Sequence, residues 1–341
     1  MCSAETLINQ GFQRMLEFFI ELHSHIMAPE RIPLALGAIF AAVLIGVISG
    51  PWFGNANPFL WQVVDVLFGK AGDRLNRTHR SHGDLVFRGF CLTALVLVAV
   101  FFLGKHCAVL VLQKPLYGLT EIFFLLMLIS AGSVWFTLLR LYAVLEKKQT
   151  GQGAYYAIAR STRTNLAVVD DFAVTRAGMG FAARAFDKGL VAPVFWYLIG
   201  GLPVALMYSA LAALAWRFGK DGFSKGFGDV PLAALLIVCA SIVTPSAGIV
   251  RSVAGLFGVR NRAPYEQGGF ALSALAWSLN VVLGGASQDL AGSAIHGAWV
   301  GPEGATAKID HTHLRRAIYI SATAHLLFVF VLVGAYLWAQ L

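Results

Sequence analysis

The chain has 341 residues, 57% of them hydrophobic and only 13% charged, with a formal charge of +8. Soluble domains carry roughly 25% charged residues, so one aqueous core cannot hide this much apolar surface and a soluble globular protein is excluded. The basic residues fall in blocks beside apolar runs, where orientation during membrane insertion accounts for them without a polyanion, so no nucleic-acid partner is expected.

Residues 1–32 mix acidic and apolar side chains and lack the basic-then-apolar order of a cleaved leader, which predicts an amphipathic amino-terminal segment. From residue 33 onward, apolar runs occur at 33–50, 85–104, 119–144, 190–216, 229–250 and 315–340. A helix crosses the hydrocarbon core with roughly 20 residues, so these runs predict five or six transmembrane helices in one membrane domain over 33–341. The stretch 268–285 is shorter and holds Ser273, Ser278 and Asn280, which predicts a helix buried among the others or re-entrant. Residues 51–69 are open between crossing and not crossing. The expected fold is therefore all-α, a polytopic helical membrane bundle with amphipathic cytoplasmic and re-entrant helices, multi-pass in a bacterial inner membrane.

Lysine and arginine near the span ends set the orientation. They mark 70–88, 145–188 and 251–314 as cytoplasmic segments; Lys70, Arg74, Arg77, Arg80 and Arg88 make up the first. Strict alternation puts 217–228 outside, although Arg217, Lys220 and Lys225 there run against the rule. Within 190–216, Ala205, Ser209 and Ala213 recur every fourth residue, a stripe that lets another helix approach closely.

The four cysteines, Cys2, Cys91, Cys107 and Cys239, make no CxxC pair, so neither a disulfide framework nor a zinc site is expected. His23 with His25, and His311 with His313, are two apart and point about 200° apart on a helix, so no metal-ligating set is assigned. His325 inside the last apolar run reads as a packing histidine with a partner, and Glu121 as an interfacial carboxylate. The phosphate-loop GxxxxGK[ST], the dinucleotide GxGxxG and the hydrolase GxSxG are absent.

Four blocks carry a resemblance to a known family. Asn57–Pro58 with Asp73, Arg74, Leu75, Asn76 and Arg77 form the first, and Val169, Asp170, Asp171, Arg176 and Ala177 the second. Gly189, Ala192, Pro193, Phe195, Trp196, Gly200, Gly201, Pro203, Ala205 and Tyr208 form the third. Gln267, Gly268, Gly269 and Phe270, then Leu283, Gly284 and Gly285, and then Arg315, Arg316 and Ala317 form the fourth. Together they resemble the CobD/CbiB family of integral membrane cobalamin-biosynthesis proteins over residues 40–320. The third block is the most specific, because proline and paired glycine in a span are placed for geometry.

The resemblance implies an ATP-dependent ligase joining adenosylcobyric acid to an aminopropanol phosphate as an amide. Such chemistry needs a divalent ion on acidic oxygens and cations for the spreading phosphate charge. The family's acidic motif aligns with Gly180 to Gly189, where its two Glu are replaced by Gly180 and Arg184, its Asn by Ala185 and its Asp by Lys188. In its second motif Asn and Asp become Ala212 and Ala215, and the His of its His-Pro pair becomes Asn57.

Two functions follow. One is a member without the ligase chemistry, acting as a binding, regulatory or complex subunit, with no cofactor. Its partners are the bilayer, another membrane protein or a second copy. A corrinoid or phosphate ligand would sit on Arg176, Arg184, Lys188 and Gln267. The other is an active adenosylcobinamide-phosphate synthase that uses ATP and Mg, with its acidic work moved to Asp170, Asp171, Asp187 or Glu266.

Overall fold

The computed structural model describes residues 29–77, 81–113, 116–148, 152–167, 169–218, 268–290, 292, 294–295 and 297–341. Most of the amino-terminal segment 1–32, the run 229–250, and Glu266 and Gln267 lie outside the described residues.

Helix α1, Arg31–Ser49, buries Ala35, Ala38, Ile39, Ala42 and Gly46 at helical spacing. Its opposite face presents Phe40, Leu44 and Ile48 outward. Helices α3, His82–Gln113, and α10, His311–Gln340, do the same with Phe90, Phe102 and Leu112 and with Phe330, Leu337 and Trp338. Apolar surface this continuous is a liability in water and a requirement in hydrocarbon, so the chain is a helical membrane bundle. Among the described residues, four helical stretches are long and apolar enough to cross: Arg31–Ser49, Gly83–Gln113, Asp171–Phe218 and His311–Gln340. Helix α2, Phe59–Leu75, lies in the ambiguous stretch and is not one of them.

The run 119–144 is not the single span its composition predicts. It divides into α4, Tyr117–Leu126, and α5, Gly132–Glu146. Residues 127–129 tighten the end of α4 with i to i−3 bonds, and neighbouring elements then supply hydrogen bonds to the break. The Ser130 N–H donates to the Gly189 carbonyl at 2.8 Å, and the Met127 carbonyl accepts from the Leu60 N–H at 3.1 Å. Helix α5 then crosses α1 with almost no clearance. A Cβ on Gly46 would lie 2.2 Å from the Ser133 nitrogen, and one on Gly132 would lie 2.2 Å from the Val43 carbonyl oxygen.

The run 190–216 also departs from expectation. Helix α7, Asp171–Phe186, passes through one π-helical turn, Asp187–Val191, into α8, Ala192–Phe218. Helix α8 is broken at Gly201, which has φ 69° and ψ −166°. The Trp196 and Tyr208 rings stack 6.3 Å apart across this break, where a straight helix would separate residues twelve apart by about 18 Å. Arg31 donates to the Leu198 carbonyl at 3.1 Å, satisfying a helix end that the turn leaves open.

The chain therefore folds back, and its two arms return to one level. Trp216 Nε1 donates to the Ser161 carbonyl at 2.8 Å, at the end of helix α6, Gln152–Thr162. Arg217 hydrogen-bonds Asp73 at 2.6 Å. The expectation that 217–228 lies across the membrane from 70–88 is thus overturned at Arg217, because a paired glycine followed by proline reverses the helix.

Helix α9, Gly269–Leu279, is short and buried along Ala271 to Ala276, as the polar residues in that stretch predict. After it the backbone makes a small feature that the sequence did not reveal. Strands β1, Leu283–Gly284, and β4, Trp299–Val300, pair antiparallel, and so do β2, Ser287–Gln288, and β3, Ala294–Ile295. This hairpin is tied to the end of α6, where the Asn165 N–H donates to the Gln288 carbonyl at 2.9 Å.

Candidate functional site

Helix α7 carries the site. Asp170 caps it by accepting from the Ala173 N–H at 2.8 Å. Asp171 accepts from the Tyr155 hydroxyl at 2.8 Å. Desolvation first, and then the Asp171 carboxylate beside it, push the Tyr155 phenol up to about 12, so it stays a neutral donor.

Beyond this cap, four-residue spacing places Arg176, Gly180 and Arg184 on one face. That face meets the turn Gly284–Gln288 and the end of α6, enclosing a cleft of about 150 Å³. Arg176 is half-buried at one side, donating to the Ala307 carbonyl at 3.0 Å and lying 5.4 Å from the centre of the Trp299 ring. Arg184 is 7% exposed, and its Nε is fully buried without a hydrogen-bond partner among the described residues. No carboxylate among the described residues lines this cleft.

Lys188 does not join the two arginines. Lys188 and Asp187 are almost wholly buried and pair at 3.0 Å, away from the cleft. The π-helical turn is the cause: its wider winding rotates Lys188 off the face that strict α-helical spacing would give it. The candidate acids are likewise dispersed. Asp171 and Asp187 are sixteen residues apart in continuous helix, about 24 Å, too far to share one ion. Glu266 and Gln267 lie outside the described residues.

One carboxylate missed by the sequence reading is Asp310. With Asp170 and Asp171 it lines a second depression, of about 740 Å³. It caps α10, accepting from the Thr312 N–H at 3.0 Å, with His313 Nδ1 at 2.8 Å. His313 is therefore part of a capping box. Burial raises the Asp310 carboxyl, but the hydrogen bonds from Thr312 and His313 more than reverse this and hold it well below 3.8. Its sequence signal is the Asp-x-x-His pattern opening an apolar run.

Other singled-out residues serve packing. Asn57 Nδ2 donates to the Ser161 carbonyl at 2.8 Å. His325 lies between the Trp135 and Phe186 rings, 4.9 Å from each, and donates Nδ1–H to the Ser321 carbonyl at 2.6 Å. Glu121 accepts from the Tyr197 hydroxyl at 2.9 Å.

The family described as CobD/Cbib protein matches residues 39–219, which take in α6, α7, the π turn and the Gly201 reversal. The chain belongs to the CobD/CbiB family. Cobalamin biosynthesis protein CobD of Clostridium acetobutylicum is 23% identical over 319 residues, 87% of this chain and 97% of that protein. The CobD of Brucella anthropi is 32% identical over 165 residues, 45% of this chain and 49% of that protein. A probable CobD of Pyrococcus abyssi is 26% identical over 194 residues, 56% and 62% of the two chains. The alignment thus spans about half of the Brucella relative and nearly all of the Clostridium one. No solved structure matches the chain. In this CobD/CbiB chain, Gly180 and Arg184 both line the cleft.

Proposed function

We propose that this CobD/CbiB-family protein does not carry out metal-dependent amide ligation and works instead as a binding, regulatory or complex subunit in the inner membrane. The observation that supports this most directly is the α7 face, which offers Gly180 and Arg184 where acidic oxygens would be needed. Magnesium takes hard oxygen ligands, and a guanidinium beside them repels the ion. ATP with magnesium therefore does not fit this cleft, and no step is routed through it.

The test is direct. Purified protein is given adenosylcobyric acid, aminopropanol phosphate, ATP and magnesium, under conditions where an active member of the family gives product. No amide is expected; steady formation of amide overturns the proposal.

The competing reading, an active synthase with relocated acids, draws on Asp170, Asp171 and Asp310 lining one depression. All three are already engaged at helix starts, which makes them poor candidates for gripping an ion. That reading requires both amide product and its loss in Asp171→Ala.

A further inference from the structure

Arg184 presents a physical problem that the packing does not solve. A guanidinium carries five N–H donors and a charge that is not given up at any ordinary pH. Buried cations are expected to be paired, because desolvation without a counter-charge is strongly unfavourable. Arg184 is 7% exposed, and no hydrogen bond or ion pair reaches it from any described residue. The same helix solves this problem elsewhere: Lys188, equally buried, has Asp187 at 3.0 Å. The difference is that Arg184 borders open space.

That space is selective. Arg176 lies two turns away on the same face, about 12 Å along the axis, and lines the same cleft as Arg184. Among the described residues, the Arg176 guanidinium makes one hydrogen bond, to the Ala307 carbonyl, so donors remain on that count. Two guanidinium groups with no carboxylate among the described lining residues suit a doubly charged oxyanion, a group that arginine recognises by bidentate hydrogen bonding. The cleft volume of about 150 Å³ is half the low end of the range for drug-sized ligands, roughly 300 Å³. It suits a single phosphate-sized group.

We infer that the cleft between α7 and the Gly284–Gln288 turn is a phosphate-binding site, with Arg184 as its buried anchor and Arg176 at its mouth. The phosphate is either free or the headgroup of an anionic lipid. The inference rests on the preceding reading only in taking this cleft for a binding site and not a metal site.

Gly180 supplies the decisive variant. A Cβ there meets nothing closer than Leu272 Cδ1 at 3.7 Å, and Gly180 lines the cleft, so the side chain of Gly180→Leu should start without a clash and extend into the cleft. In detergent, inorganic phosphate should raise the thermal midpoint of the wild type in a saturable way, and sodium chloride at matched ionic strength should not. Arg184→Gln and Gly180→Leu should each lose that response, with at least a tenfold weaker half-saturation. Should Arg184→Gln fail to fold, Gly180→Leu alone decides. An equal response to chloride, or an undiminished phosphate response in Gly180→Leu, overturns the site.

Nanodiscs separate the two sources. If the phosphate is a lipid headgroup, phosphatidylglycerol in place of phosphatidylcholine raises the midpoint of the wild type but not of Gly180→Leu, and abolishes the response to inorganic phosphate. If it is free, that response is the same in both lipids. Amide formation in the ligase assay would remove the non-catalytic reading and leave this site standing. A midpoint indifferent to phosphate would remove the site and leave that reading intact.

Discussion

Arg217 Nη2 lies 2.6 Å from both carboxylate oxygens of Asp73, and its Nε lies 2.7 Å from Asp65. One arginine at the end of α8 thus ties that helix to two points on α2. Its own side chain is 16% exposed, and Asp65 and Asp73 are 32% and 56% exposed, so solvent screens the pair from one side only. The contact fixes the sidedness of the bundle, because it cannot form if 190–216 crosses once and delivers Arg217 to the opposite face.

Cysteines replacing Asp73 and Arg217, in a chain lacking Cys2, Cys91, Cys107 and Cys239, should therefore be joined by a short bis-maleimide. A single crossing would separate them by the hydrocarbon thickness, about 30 Å. Absence of the cross-link under conditions where each cysteine is labelled alone would restore the one-span arrangement.

The crossing of α1 and α5 should tolerate no side chain at its centre. Gly46→Val and Gly132→Val each drive a Cβ into backbone atoms 2.2 Å away, and backbone cannot swing aside as a side chain can. We expect both to cost at least about 3 kcal/mol, the upper end for overpacking, read as loss of folded protein by fluorescence-detected size exclusion. Gly180→Leu provides the comparison, and wild-type yield in either valine variant would refute the close crossing.

The buried Asp187–Lys188 pair should behave non-additively. Lys188→Met leaves a carboxylate buried beside the π turn, an arrangement that typically costs about 3–5 kcal/mol. The double variant Asp187→Leu with Lys188→Met removes both charges and should recover most of that loss. Thermal midpoints of the four proteins complete the cycle, and a double variant as unstable as the sum of the singles would show that the two residues act separately.

Asp310 should confer an acid-sensitive component of stability. Its folded-state carboxyl titrates below the ordinary value, so the ionised form contributes stability above 3.8, and this contribution is lost as the pH falls below it. Asp310→Asn keeps a good cap and should flatten this part of the pH profile of the midpoint. Asp310→Ala should cost about 1 kcal/mol at neutral pH. An acid limb unchanged in the asparagine variant would remove the cap as its origin.

Much of the fold was legible because hydrocarbon imposes simple rules. The apolar runs that became α1, α3 and α10 announced themselves by length, and Ser273 and Ser278 correctly marked a helix enclosed by its neighbours. The resemblance placed the chain in its family through Gly200, Gly201 and Pro203, without revealing that these residues reverse the helix. At the site, four-residue spacing brought Arg176 and Arg184 to one face but misplaced Lys188, since hydropathy carries no trace of a π turn. The hairpin that closes the cleft escaped notice because its strands are two residues each, too short for an alternating pattern.

Composition and periodicity by themselves determined that this chain enters a membrane, which stretches are helical, and that Arg176 and Arg184 share one face of α7. These properties depend on each residue's preference for its solvent and on a fixed helical repeat, both of which are local. Tertiary structure alone decided that Gly201 turns the chain back, that Lys188 is neutralised by Asp187 while Arg184 faces a cleft, and which end of α8 meets Asp73. Those outcomes depend on which distant groups supply the hydrogen bonds and charges that a broken helix or a buried cation requires.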